Sequence, residues 1–412
     1  IMTDHETPMA LAGLKVLDLS RILAGPYAAQ MFADLGADVV KVENPDGGDD
    51  TRKWGPPFSH NADGSRDSAA YFSACNRNKR SVTIDFSTEG GADLVRKLAQ
   101  KADIVIENFK PGGLKKYGLD YVSIAAINPG IIYCSITGFG QTGPYSHRSG
   151  YDFLIQGMGG LMSITGQPDG SPGSAPMKVG VAVCDLFTGM FAANAALAAL
   201  HYRARTGKGQ HIDCALLDSQ ISMLANQSAN WLNAEVCPGR MGNSHPSVVP
   251  YTVYRARDGF VIVACGNDKQ FIRLTAALAV PDLADHADFA TNETRIKNRE
   301  QLDAILADII LKMDRQQLIE TLEAAGVSCG PINNISEVFA DRHVQARGAR
   351  IDQWRKDGSK ISTTAFAAKL SLTPAQYRAA PPRLGEHSDQ IIAEWADMSP
   401  EEIAILRNAK VI

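Results

Sequence analysis

Long apolar runs, blocks of like charge, paired cysteines and the short signatures of common enzymes are all scarce in this chain of 412 residues. No apolar run approaches the roughly 20 residues that a bilayer-crossing helix needs, and no basic stretch followed by an apolar one opens the chain. Neither a membrane span nor a leader is therefore expected. With 41 basic and 45 acidic residues the formal net charge is only -4, too weak a field to hold nucleic acid or an anionic membrane. The expected partner is a small molecule. Cys75, Cys134, Cys184, Cys214, Cys237, Cys265 and Cys329 are odd in number and scattered, with no C-x-x-C pair. That spacing argues against zinc and against a disulfide framework, and for a reducing compartment. The expected location is the cytoplasm, or the mitochondrion if the source is eukaryotic. Cys134, Cys184, Cys214, Cys265 and Cys329 stand in apolar or strand-like context, where a free thiol acts as a small core residue. Phosphate-loop, zinc-protease and nucleophile-elbow motifs are missing, and the cluster Gly157, Gly159, Gly160 does not follow a strand with dinucleotide spacing. The nine histidines stand singly, so no metal is expected.

What remains is an ordinary globular composition, 45% hydrophobic and 21% charged, in a chain longer than one core usually grows. Two domains are expected. Apolar strand-like runs at 14–20, 37–43, 80–86, 102–109 and 130–139 alternate with helical spacing at 24–36, 88–101 and after Pro111. That rhythm predicts a parallel sheet covered on both faces, with ligands at the loops following the strands. After a Gly/Pro-rich stretch at 166–180 come an Ala-rich helix from Asp185 to about Arg205, a strand in HIDCALL and a helix from about Asp218 to Leu232. Residues 233–250 change to Pro, Gly and polar residues and read as a linker. YTVYRARDGFVIVAC then predicts a hairpin turning at Arg257, Asp258 and Gly259. It opens a smaller domain that runs to a second linker at GPINN, 330–334.

One local pattern carries chemistry. In VAVCDLFTGMFAAN, Asp185 follows an apolar run and opens a helix of small residues. The positive end of the helix dipole would keep its carboxylate ionised, as a nucleophile requires. Asp is equally favoured as a plain helix cap. Local sequence leaves both readings open.

Several collinear segments decide more. LAGLKVLDLSRILAGPYAAQMFADLGADVVKVENP, YFSACNRNKRSVTIDF, DIVIENFKPGGLKKYG, IIYCSITGFGQTGPYSHRSGYD, VGVAVCDLFTGMFAANAALAAL, TGKGQHIDCALLD, PYTVYRARDGFVIVACGNDKQF and LGEHSDQII together resemble the family III CoA-transferases, the formyl-CoA and carnitine-CoA transferase group. NRNKRS, GLMSITG, VVPY and GPINN are most similar to its succinate-hydroxymethylglutarate (glutarate) branch. The resemblance implies an α/β fold: a Rossmann-like large domain with a parallel sheet and a smaller α+β domain. The implied division is 1–222 as the N-terminal part of the large domain, 223–249 as linker, 250–328 as small domain, 329–346 as linker, and 347–412 completing the large domain. An interlocked homodimer is implied as well.

The implied activity is transfer of CoA between a dicarboxylic acyl-CoA, such as succinyl-CoA, and a free carboxylic acid, with CoA as substrate and no tightly bound cofactor. Asp185 would be the nucleophile, passing through an aspartyl-acyl anhydride and an enzyme thioester. Matching positions imply CoA contacts at Arg21, Ile22, Leu23, Ala24, Ile84, Phe86, Asn108, Phe109, Lys110 and Lys116, and at Thr137, Gly138, Phe139 and Gln141. Arg77, Arg148 and Arg240 are candidates for a distal carboxylate. GNDKQF stands where formyl-CoA transferases carry a Gly-rich loop, which argues against formyl or oxalyl substrates. An α-methylacyl-CoA racemase is the nearest alternative, but that subgroup carries His at the position of Tyr151, and a phenol is a poor proton shuttle at neutral pH. A non-catalytic CoA-binding protein is the other alternative, and retention of Asp185 argues against it.

Overall fold

The structure, a computed structural model, describes residues 9–412. They divide into two compact units, one formed by residues up to Leu161 with Val179–Ala229 and His343–Ile412, the other by Met162–Lys178 and Asn230–Arg342.

The large unit is built on six strands, β1 (Lys15–Asp18), β2 (Asp38–Glu43), β3 (Lys79–Thr83), β4 (Ile104–Glu107), β5 (Ile132–Thr137) and β6 (Gln210–Ala215). They pair in the order β3-β2-β1-β4-β5-β6, every pair parallel, with Val16 of β1 facing both Val39 and Ile104. Alternate residues of each strand feed opposite layers. Val16, Val39, Ile104 and Ile132 pack beneath α1 (Ala24–Asp34) and α5 (Val183–Thr206). Leu17, Val40, Val105 and Tyr133 face α2 (Glu89–Lys101) and the late helices α10 (Ser388–Ala396) and α11 (Pro400–Asn408). A sheet buried on both sides explains why its strands read as continuous apolar runs. Each large side chain so buried, Phe32 or Trp395 for example, contributes roughly 1.5–3 kcal/mol.

Two expectations fail in detail. The helix predicted after Pro111 does not start there: Gly112 and Gly118 adopt φ of 77° and 63°, a turn and a short 3-10 segment intervene, and α3 begins only at Tyr121 and ends at Ile127. The helix predicted over 218–232 is two, α6 (Leu216–Met223) and a second at Ala225–Ala234, broken where Ala225 takes φ of 45°.

The expectation about apolar runs is also corrected. With 24 residues and a mean hydropathy of 1.6 over an 18-residue window, α5 is long and apolar enough to cross a bilayer. Its small residues serve another purpose here. Ala192, Ala193, Ala196 and Ala199 are buried in the core, and Gly189 lets the helix approach α1 so closely that an added Cβ would lie 2.6 Å from the Ala24 carbonyl oxygen.

In the small unit, β7 (Tyr251–Ala256), β8 (Gly259–Ala264) and β9 (Ser328–Pro331) form an antiparallel sheet with β8 central. The hairpin turns at Arg257 and Asp258, as its sequence predicts. Helices α7 (Asp268–Ala277), α8 (Arg299–Ile310) and α9 (Arg315–Ala324) pack Phe271, Leu274, Leu302, Leu306, Leu318 and Leu322 against Val261 and Val263. Buried Arg295 ties this unit together, donating to Val249 O (2.7 Å), Phe289 O (2.9 Å) and Asp268 Oδ1 (2.7 Å). Residues 162–178, counted with the large domain from sequence, side with this unit: Arg240 pairs with Asp169 and Gly242 N donates to Gly166 O at 3.0 Å. So do most of both expected linkers.

Candidate active site

In the strand order of the large sheet, the direction of winding reverses between β1 and β4. The loops that follow these two strands part, and such a crevice is where open α/β sheets take ligands. Asn108, just after β4, bridges the crevice by accepting from Arg21 N (2.9 Å) and donating to Arg21 O (2.7 Å). A cavity of about 410 Å³ opens there. Its walls are the loop Arg21–Ala24, the loop from Asn108, the end of β5 at Thr137 and Gly138, the stretch Arg148–Tyr151, and Asp185. Two glycines make this closure possible: a Cβ on Gly138 would lie 2.5 Å from the Gly150 Cα, so two backbones touch where any side chain would part them.

Asp185 sits in the first turn of α5, but it does not cap the helix. The N-cap is Ala182, which has no capping side chain. Asp152, at the start of α4 (Asp152–Met158), supplies the cap from another segment: its Oδ2 accepts from Cys184 N (2.7 Å) and Asp185 N (3.3 Å). Gln156 holds this carboxylate in turn, donating to Asp152 Oδ1 (2.6 Å) and accepting from Val179 N (2.9 Å). The Asp185 side chain is therefore left to face the cavity.

Its electrostatics differ from expectation. Burial first, and the Asp152 charge second, push the Asp185 carboxyl up to about 7. The dipole argument predicted a firmly ionised group. Burial is the larger cause of the reversal, and the second carboxylate on the same helix terminus adds to it by taking the amides and repelling the new charge. Desolvation leaves Asp185 a stronger nucleophile once ionised. Its charge also reaches Tyr71, whose phenol is pushed up to about 12 by burial and then by Asp185. Tyr71 packs edge-on against exposed Trp54 at 5.4 Å between centroids.

The other expected contacts fall into neighbouring hollows. Ile84 and Phe86 line a smaller one of about 120 Å³ that shares Arg21 and Phe109 with the main cavity. Phe86 meets Phe109 and Tyr117 edge-on, each at 5.7 Å. Lys110, which also lines the main cavity, and Gln141 line a third of about 200 Å³, together with Glu107, Ser135 and His211. Lys116 lines none of them and rests on the Tyr117 ring at 4.7 Å. Phe139 meets Tyr145 edge-on (5.7 Å) and lies under Arg148 (5.3 Å). Ile22, Leu23 and Ala24 border the main cavity directly.

Of the three arginines considered for a distal carboxylate, Arg77 is excluded. It is buried, with its guanidinium on Asp34 (2.9 and 2.5 Å) and on Thr364 O (2.7 Å). Arg240 belongs to the small unit and pairs with Asp169. Arg148 does line the cavity. Sequence reasoning missed Asp152, Gln156 and Tyr71. The signal for Asp152 was an acid next to Tyr151 at a helix start, with no means of telling that it caps a different helix.

A family model described as CoA-transferase family III matches residues 11–388. The succinate–glutarate CoA-transferase of Agrobacterium fabrum is 52% identical over 384 residues, 93% of this chain and 95% of that protein. The human succinyl-CoA:glutarate CoA-transferase is 40% identical over 410 residues, 100% of this chain and 91% of that protein. Among solved structures, a CAIB/BAIF family protein from Brucella suis superposes with a TM-score of 0.85 at 52% identity, covering 94% of this chain and 99% of that one.

Proposed function

Since the chain belongs to CoA-transferase family III and is a CoA-transferase, we propose that Asp185 is the nucleophile through which CoA passes from an acyl-CoA thioester to a free carboxylic acid. The Asp185 carboxylate attacks the thioester carbonyl, the C–S bond breaks, and an aspartyl-acyl anhydride and CoA thiolate result. The thiolate attacks the aspartyl carbonyl and releases the first acid, leaving an enzyme thioester. An incoming carboxylate displaces CoA thiolate from it, forming a second anhydride whose acyl group the thiolate collects as the new thioester. Anhydride and thioester are close in transfer potential, so neither step is a deep trap, but water must be kept out. The observation that carries this reading is the placement of Asp185, its amide held by Asp152 and its carboxyl raised to about 7, in the switch-point cavity.

CoA is a substrate here, not a resident cofactor. Its pantetheine arm runs along Arg21–Ala24, and its nucleotide end takes the hollow of Ile84, Phe86 and Phe109, a path supported by the walls the two cavities share. The donor is a dicarboxylic acyl-CoA such as succinyl-CoA, in keeping with the names of the relatives. Arg148, stacked on aromatic rings and paired with no acid among the described residues, is left to meet an anionic group of the substrate. The protein is an interlocked homodimer: exposed Phe187, Met190, Phe191 and Leu197 along α5 form an apolar stripe suited to burial by a second copy. Its seven free thiols suit a reducing compartment, the cytoplasm or a mitochondrion.

The test is incubation with succinyl-CoA, trapping with hydroxylamine and mass spectrometry of the peptide holding Asp185. A hydroxamate on Asp185 is expected. Asp185→Ala is expected to cut label exchange between acids by about a thousandfold or more, with CoA affinity nearly unchanged. Exchange at the parent rate in that variant would refute the assignment.

A further inference from the structure

In the loop between β1 and α1, the five consecutive backbone groups from Ser20 O to Ile22 O are held by side chains from elsewhere in the chain. Ser20 O accepts from Lys41 Nζ (2.7 Å), and both polar groups of Arg21 are held by Asn108. Ile22 N donates to both Asp49 oxygens, at 3.3 Å each, and Ile22 O accepts from Cys75 Sγ at 3.8 Å. Ile22 also has φ of 72°. Among the described non-glycine residues with positive φ it alone is β-branched, the side-chain type least at home there. Strain of this kind persists only where the surroundings over-determine it, and it gathers at functional sites.

Asp49 is built for that task. It is buried, receives Lys41 Nζ at 3.0 Å, and accepts from Thr51 N (3.0 Å) and Thr51 Oγ1 (2.7 Å). Burial alone would raise its carboxyl, but the Lys41 charge and the Thr51 bonds hold it down at about 2. Lys41 in turn stays charged: Asp49, Asp18 and Glu43 outweigh its desolvation. One ion pair thus grips the loop at two points, Ser20 O through the cation and Ile22 N through the anion.

We propose that Asp49, seated on Lys41, is a positioning residue: it holds Ile22 in the left-handed region and so sets the loop Arg21–Ala24 in the cavity that contains Asp185. A loop at this spot that relaxed into an ordinary conformation would turn the Arg21–Ile22 and Ile22–Leu23 peptides and move the wall against which a thioester must lie. Small displacements of this kind are costly to a reaction that depends on approach geometry.

A double-mutant cycle tests the idea. Asp49→Asn, which keeps an oxygen but loses the charge, and Ile22→Gly, whose backbone needs no restraint at positive φ, are made singly and together. In the parent background Asp49→Asn is expected to lower kcat about thirtyfold, with KM for succinyl-CoA changed less than about threefold. In the Ile22→Gly background the same change is expected to cost less than about threefold. An equal loss in both backgrounds overturns the proposal, since Asp49 would then act through something other than Ile22. The kinetic arm rests on CoA transfer as proposed above. The thermal midpoint does not, and its loss from Asp49→Asn is expected to be smaller by about 3 °C or more in the Ile22→Gly background. A parent enzyme without transfer activity would sink the proposed reaction but leave this thermal comparison to decide. Should Asp49→Asn fail to fold, Thr51→Val, which removes the hydroxyl that holds Asp49 Oδ1, takes its place in the cycle, and additivity again counts against the proposal.

Discussion

Two groups of carboxylates stand at the C-terminal edge of the same sheet, on either side of the β1–β4 boundary, and they are treated in opposite ways. On the β1–β3 side, Asp18, Glu43 and Asp49 are buried against Lys79, Arg52 and Lys41. Each is held below its ordinary range, the neighbouring cations and hydrogen bonds overcoming desolvation. On the β4–α5 side, Asp185 has a second carboxylate for a neighbour and Glu107 has the Ser135 hydroxyl and the Phe109 amide. Neither pairs with a lysine or arginine among the described residues, and burial pushes each up to about 7. Residue type does not distinguish the two groups. In these two groups a carboxylate with a buried cation is fixed in charge and serves as a strut, whereas one without is poised to change state.

The comparison breaks most visibly at its cationic side. Lys41→Met leaves Asp49 buried without its cation, and a loss of about 3–5 kcal/mol in urea unfolding is expected. A loss below about 1 kcal/mol would mean the strut carries no load. On the poised side the expected effect is on pH dependence. On the proposed mechanism Asp185 must be ionised to attack, so kcat/KM should fall as pH drops through about 7. Asp152→Asn keeps the helix cap but removes the repelling charge, which lowers the pKa of Asp185. Its acid limb should therefore move down by about one pH unit. An unmoved limb would show that burial alone sets the value. The smallest effect is expected at Glu107, which accepts from Phe109 N at 2.8 Å. The ionised form is the better acceptor, so KM for the thioester should rise modestly as pH falls through about 7. Glu107→Gln should raise KM about threefold and flatten that trend, with kcat nearly unchanged.

What the sequence displayed was whatever is encoded by neighbours. The apolar runs of β1, β2, β4 and β5 and the helix of Asp185 are local patterns, and each appears within a few residues of its expected place. The resemblance to a family supplied the binding loops. The partners of those loops stayed hidden because they lie far along the chain: Asp152 caps a helix 33 residues on, and Asp49 reaches Ile22 across 27. Asp49 lies in a polar stretch, which reads as solvated surface until folding buries it. Arg77 misled for the same reason. A cation that looked free to meet substrate is spent on Asp34 inside the protein. The break at Ala225 and the late start of α3 turn on single φ values that no periodicity records.

Gly189 has a consequence for anyone wishing to alter the enzyme. It is where α5, which carries Asp185, lies directly on the first turn of α1, which ends the loop of Ile22 and Leu23. The spacing between the Asp185 carboxyl and the opposite wall of the cavity is thus set by an atom that is not there. One methyl group at this point would act as a shim, prying the two helices apart and lengthening the reach of the carboxylate without touching any group that meets the substrate.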